Sequence, residues 1–154
     1  MKKIIYIVLV TLYTISCKAQ IDMINIADIE INNLNLINQD ESLLIQNFGQ
    51  PLSIENELFE MDNIYSDKYV YNGAFFYIIN NKIEYFEISN SSYGLTDYNF
   101  KVGDNINSLK NTFPLSYCNK KSNHLSININ GFDRFIAFTY DSNNIIQKIG
   151  MYSY

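Results

Sequence analysis

No tryptophan occurs in this chain, and reactive side chains are scarce: one histidine (His124), one arginine (Arg134) and two cysteines (Cys17 and Cys118) in 154 residues. Each scarcity removes a chemistry. A structural zinc site needs about four ligands, and Cys118 with His124 supplies two. A Cys118–His124 nucleophile–base pair would lack a third group, an oxyanion hole and any cause for an acidic thiol. His124 stands beside Lys120, Lys121 and Asn123, which reads as a solvated loop. No Gly-rich phosphate loop, dinucleotide fingerprint, nucleophile elbow, H-E-x-x-H helix or D-x-[DN]-x-[DN]-G calcium loop is present. No basic cluster exists either, which excludes nucleic acid as a partner class. No cofactor is implied, and the chain carries no signal for an oligomeric state.

What is present is apolar and aromatic. Hydrophobic residues make up 47% and charged residues 18%, a globular balance rather than a disordered one. The 13 Tyr and 10 Phe favour a β-rich fold. Sixteen acidic residues against 11 basic ones leave a net charge of −5. Loss of Lys2 and Lys3 with residues 1–16 would make it −7. Such a body has no electrostatic pull toward anionic lipid.

The first twenty residues read as an address. Lys2 and Lys3 precede a mostly apolar run from Ile4 to Ile15, short of the ~20 residues needed to cross a bilayer but right for a signal-peptide core. Residues 1–16 are therefore assigned as a cleaved signal peptide and 17–28 as a tether. Thr14-Ile15-Ser16-Cys17 resembles the lipobox of bacterial lipoproteins, in a loose form found in the Bacteroidota, with Thr14 where that family usually has Leu. The resemblance implies acylation of Cys17 and a lipid anchor at the outer membrane. Each buried methylene would contribute about 0.8 kcal/mol. The alternative is ordinary cleavage before Gln20 and a soluble periplasmic or secreted protein. Acylation of Cys17 would leave Cys118 as a buried, inert thiol; a 17–118 disulfide is the other arrangement.

The body predicts α+β architecture in two tandem units, 29–93 and 94–154, forming one domain. Ile29, Ile31, Leu34 and Leu36 alternate with polar residues like a half-buried strand. Asp40 suits an N-cap, Leu43, Leu44 and Phe48 share a helical face, and Gly49 and Pro51 close the helix. Strands are expected near 54–60, 68–71, 74–79 and 82–88, with turns at Asn72-Gly73 and Asn80-Asn81. The second half repeats the order. Ile106, Leu109 and Phe113 mark a short helix ended by Pro114; strands follow near 125–129, 134–140 and 145–152, with turns at Asn130-Gly131 and Asn143-Asn144. Leu44 and Phe48 map onto Leu109 and Phe113, and Pro51 onto Pro114. Phe75 and Tyr77 map onto Phe138 and Tyr140, and Phe86 and Ile88 onto Ile149 and Met151. These offsets predict a duplicated unit of short helix plus antiparallel meander.

That pattern, with Phe48-Gly49-Gln50-Pro51 as its motif, resembles β-lactamase-inhibitor-protein-like folds and the small outer-membrane lipoproteins of the SmpA/OmlA type. The resemblance implies a non-catalytic protein that meets other proteins through an open sheet face.

Two features are candidates for function. Glu55 and Glu57 share a strand face near Glu60, Asp62 and Asp67; with His124 they are the remote basis for a carboxylate hydrolase, and otherwise form a solvated edge strand. The stronger feature is aromatic. Tyr77, Tyr85, Tyr140 and Tyr152 are the candidate binding face, because a phenol buries area and still hydrogen-bonds; the alternative is that the aromatic rings fill a second buried layer or pair across strands. The expected function is an exported, non-catalytic envelope protein that binds another protein, inhibitor- or immunity-like. The alternative is a structural accessory of an outer-membrane assembly.

Overall fold

The computed structural model describes residues 22–59 and 64–154. The signal segment and Cys17 therefore lie outside the described residues, as do Glu60 and Asp62. Twelve strands in two sheets dominate the described chain, with three short helices. Residues 22–28, expected as tether, belong to the fold: β1 (Met23–Ile24) pairs in parallel with β10 (His124–Ile129).

The large sheet has eight strands. Its first half is a continuous meander of β4 (Ser53–Phe59), β5 (Ile64–Tyr71), β6 (Ala74–Ile79) and β7 (Lys82–Ile88). Its second half joins β10 to β11 (Arg134–Tyr140) and β12 (Ile146–Ser153). β12 and β7 fuse the halves through only two pairs, Ile149↔Ile88 and Gly150↔Glu87. The turns explain the asparagine-rich sequence. Asn80 and Asn81 both have positive φ, 51° and 62°, which the two-residue hairpin between β6 and β7 requires. Asn tolerates that region because its short amide bonds locally.

The small sheet was not foreseen. Asn32 and Asn33, at φ 52° and 66°, fold what looked like one strand into a hairpin of β2 (Glu30–Ile31) and β3 (Leu34–Asn35). β2 then pairs with β8 (Gly94–Leu95), which pairs with β9 (Phe100–Lys101). This sheet takes strands from both of the expected units.

The tandem helix-plus-meander architecture is accordingly corrected to a sheet-dominated fold. The two halves are not equivalent. The first has α1 (Glu41–Phe48), ended at Gly49 as expected. The second has a 3-10 turn and two helices of four and five residues, α2 (Leu109–Thr112) and α3 (Pro114–Cys118). Pro114 does not simply stop a helix; it opens α3, where its missing N–H costs nothing. The matched aromatics also face opposite ways: Phe75 and Tyr77 are half-buried on the outer face, whereas Phe138 and Tyr140 are 1% and 3% exposed in the core. Because side chains alternate along a strand, that inversion places the two segments in opposite registers. A physical reason lies in coverage. An eight-residue helix is about 12 Å long, while eight strands at ~4.8 Å span roughly 34 Å, so a second sheet must complete the layer.

The core lies between the layers. Phe76, Phe86, Ile88, Leu125, Ile136, Phe138 and Ile149 line the inner face of the large sheet and are essentially fully buried. Leu44 and Phe48 of α1, Ile31 and Leu95 of the small sheet, and Ile106, Leu109 and Phe113 close over them. Phe48 meets Phe76 at 5.8 Å between ring centroids, and Phe100 meets Phe138 edge-on at 6.2 Å. Each such ring contributes about 1.5–3 kcal/mol by leaving water. Tyr69 ties β5 to α1 by donating its hydroxyl to Glu41 Oε2 at 2.9 Å; burial, then that carboxylate, pushes its pKa up to about 12.

Candidate functional site: an aromatic face on the large sheet

Alternation along the strands decides what the outer face carries. In β6, Ala74, Phe76 and Ile78 point inward, leaving Phe75 and Tyr77 outside. Pairing then sets Tyr85 opposite Tyr77 and Glu87 opposite Phe75. On the far side of β7, Gly150 stands opposite Glu87, with Lys148 and Tyr152 flanking it on the same face. Phe135 lies opposite Tyr152, their rings 5.9 Å apart, and Tyr154 packs on Phe135 at 4.8 Å. The result is a band of rings across β6, β7, β12 and β11.

Glu87 organises the band. Tyr77 donates its hydroxyl to Glu87 Oε1 at 3.2 Å, Tyr152 donates to Oε2 at 3.0 Å, and Lys148 Nζ lies 2.6 Å from Oε2. Burial raises the carboxyl's pKa, but the Lys148 and Tyr152 hydrogen bonds, the lysine's charge and the Tyr77 bond outweigh it and hold the pKa below its ordinary value. The phenols move the other way. Burial and the Glu87 charge drive Tyr77 and Tyr152 well above the usual tyrosine range. Both rings are therefore held protonated and in place.

Gly150 permits this geometry. A Cβ there would come within 2.5–2.7 Å of the Tyr152 ring and hydroxyl, so only glycine lets the phenol fold back toward Glu87. An isolated glycine inside a strand pattern is the signal that could have exposed this position from sequence. Nothing in the sequence marked Glu87 or Lys148, because their meeting depends on two strands far apart in the chain.

Beyond Tyr77 lies β5. Lys68 bridges Glu57 at 2.8 Å and Glu55 at 3.7 Å and sits 4.8 Å from the centre of the Phe75 ring. The hydrogen bond that Lys68 donates to Glu57 leads in raising its pKa, against the effect of burial. On the other flank Arg134 donates Nη1 to the Glu84 carbonyl at 3.3 Å, pairs with its carboxylate, and stacks 4.7 Å from the centre of the Tyr85 ring. β12 and β7 diverge after their two pairs. Here a pocket of about 210 Å³ opens, lined by Glu57, Tyr77, Tyr85, Met151, Tyr152 and Ser153.

Three of the four tyrosines expected on a binding face, Tyr77, Tyr85 and Tyr152, thus meet in one pocket. Tyr140 does not. It is in the core, and its hydroxyl donates to the Lys121 carbonyl. The assumed repeat assigned it the role of Tyr77, and the inverted register takes that role away. Glu55 and Glu57 share a face, as expected, but His124 is far from both. It opens β10, six strands from β4 in the sheet order, or about 29 Å at ~4.8 Å per strand. It is half-buried rather than a solvated loop residue, and burial followed by Lys121 lowers its pKa. The pocket that Glu57 lines and the one that His124 lines share no residue, and no cluster of three or more His, Cys, Asp or Glu suited to a metal occurs among the described residues.

Cys118 also departs from expectation. It is exposed at the end of α3, not buried, and it is disulfide-bonded. Cys17 is the only other cysteine of the chain. Acylation would occupy its sulfur, and cleavage before Gln20 would discard it. Either route denies a processed chain an intramolecular bridge at Cys118.

No family model and no curated protein sequence matches the chain. Among solved structures, an extracellular protein containing a SCP domain from Bacillus anthracis str. Ames is similar, with a TM-score of 0.54 at 10% identity. The likeness covers 77% of this chain and 44% of that one, so the chain spans less than half of its length. It is a likeness of fold alone. No helix among the described residues is long and apolar enough to cross a membrane.

Proposed function

We propose that this is an exported, non-catalytic protein of the bacterial cell envelope that binds another protein through the outer face of its large sheet, inhibitor- or immunity-like. The observation that carries the reading is the set of rings fixed around Glu87. Tyrosines held by buried hydrogen bonds and neighbouring rings lose little freedom on association, which is what makes aromatic anchors effective. Export rests on the signal-like first twenty residues, and anchoring on the lipobox-like Thr14 to Cys17. On this reading the tether is short. Residues 17–21 separate the lipid from the first described residue, at most about 17 Å of chain, which holds the body near the membrane.

Site-specific photo-cross-linking in cells tests the binding. A benzophenone side chain is placed at Tyr85 or Tyr154 on the face, and at Asn111 in α2 as a control. A discrete adduct from the face positions and none from Asn111 is expected. Adducts absent from the face, or equal at all three positions, refute the reading. A permanent stoichiometric complex surviving mild detergent would move the protein to the structural-accessory class.

A further inference from the structure

We propose that the pocket beside Tyr85 receives a lysine or arginine side chain of the partner, so that the protein recognises its target by a basic anchor residue; this rests on the protein-binding reading above. Three observations carry it. The first is size. At about 210 Å³ the pocket is smaller than the ~300–1,000 Å³ of drug-sized ligand sites, and suits one inserted side chain. Its walls are the rings of Tyr77, Tyr85 and Tyr152 and the Met151 side chain, an apolar lining for an alkyl stem.

The second is hydrogen-bond polarity. Tyr77 and Tyr152 both spend their only proton on Glu87, and a phenol whose proton is committed can only accept. At the rim, Glu57 Oε1 accepts from Lys68, while Oε2 has no partner among the described residues. Glu57 itself remains 40% exposed. The Tyr85 and Ser153 hydroxyls can donate or accept, but Glu57, Tyr77 and Tyr152 present acceptors. That majority favours a group that only donates, and ammonium and guanidinium do so with a positive charge that an indole N–H lacks. An acidic anchor would meet the Glu57 carboxylate with like charge.

The third is charge. Four carboxylates, Glu55, Glu57, Glu84 and Glu87, stand against Lys68, Lys148 and Arg134 around the pocket, on a chain of net charge −5. The surplus negative charge steers a basic surface toward this face. Aromatic walls add cation–π attraction at close range.

The test titrates the protein with capped tripeptides whose central residue is arginine, lysine, leucine or glutamate, following tyrosine ring signals by NMR. The arginine and lysine peptides should shift Tyr77, Tyr85 and Tyr152 saturably, at roughly 1–50 mM given so few contacting atoms. Glu57→Gln should weaken that binding about tenfold through loss of a charge-assisted contact, and added salt should weaken it further. The glutamate peptide should leave these signals unmoved. Leucine binding as tightly as arginine, glutamate binding more tightly, or no saturable shift in the pocket overturns the proposal. So does Glu57→Gln binding the arginine peptide unchanged. The wider reading fails separately: face cross-links that persist undiminished in Glu57→Gln keep protein binding and reject the basic anchor. Peptide binding without any face cross-link keeps the cation pocket and rejects the protein partner.

Discussion

Replacing Glu87 with glutamine should destabilise the protein at neutral pH and not in acid. The carboxylate accepts two phenol protons and faces Lys148, with 15% of its side chain exposed. Hydrogen bonds to a charged group contribute about 1.5–3 kcal/mol each, against roughly 1 for neutral ones. Glutamine keeps the shape but substitutes a donor for one acceptor, so one phenol or Lys148 must turn away. Lys148 is 45% exposed, so solvent screening limits its share to about 0–1 kcal/mol. The expected loss is about 1–3 kcal/mol at pH 7, or roughly 2–10 °C in Tm for a chain of this size. The pH dependence carries the discriminating information. Glu87 has a folded pKa below its ordinary value of 4.5. The unfolded chain therefore binds its proton first, and the stabilisation is whole above that value and disappears as pH falls through the folded one. Urea unfolding followed by far-UV circular dichroism, at pH 7 and at steps down to about pH 3, should show wild type and Glu87→Gln converging. Equal stability at pH 7, or a gap that persists unchanged into acid, would refute the assignment of Glu87 as the charged centre of the face.

Other outcomes follow from the same geometry. Gly150→Ala should cost about 1–3 kcal/mol by overpacking and release the Tyr152 phenol from Glu87, seen as a fall in the alkaline midpoint of one tyrosine by ultraviolet titration; an unchanged titration would count against the close approach. Phe76→Ala, at a fully buried ring between Phe48 and Tyr71, should lose about 3–5 kcal/mol in chemical denaturation. Asn81→Ala should cost about 1 kcal/mol because Asn81 holds φ 62° in a tight turn, whereas Asn81→Gly should not. Intact mass of the native protein, with and without reductant, should show acylated Cys17 at the new N-terminus; an unlipidated chain beginning at Gln20 rejects the anchor. A mass lower by two hydrogens before reduction, in a chain that retains Cys17, would show the bridge to Cys118 in place of the lipid.

Much of the local structure was legible. The strands from 74 to 79, 82 to 88 and 134 to 140 were read at the boundaries they adopt, because period-two alternation and Asn turns are local signals. The helix ending at Gly49 was read for the same reason. Asp40 illustrates the limit: it occupies the N-cap position, but its carboxylate pairs with Lys82 at 2.9 Å instead of capping the helix. A local rule identified the position, and a neighbouring strand determined the partner. The small sheet escaped detection because its strands are two residues long and its two local pairings, β2 with β3 and β8 with β9, join through one distant pair, Ile31 with Leu95.

The residues by themselves determined where the chain extends, turns and stops, which catalytic motifs are missing, and that Tyr77, Tyr85 and Tyr152 were worth attention. Tertiary structure alone decided which side of the sheet each ring occupies. A shift of one residue in register reverses every side chain of a strand, and such shifts distinguish Tyr77 from Tyr140. It also decided that Glu87, Lys148 and Gly150 converge, since strand pairing between distant segments brings together groups that no sequence spacing connects.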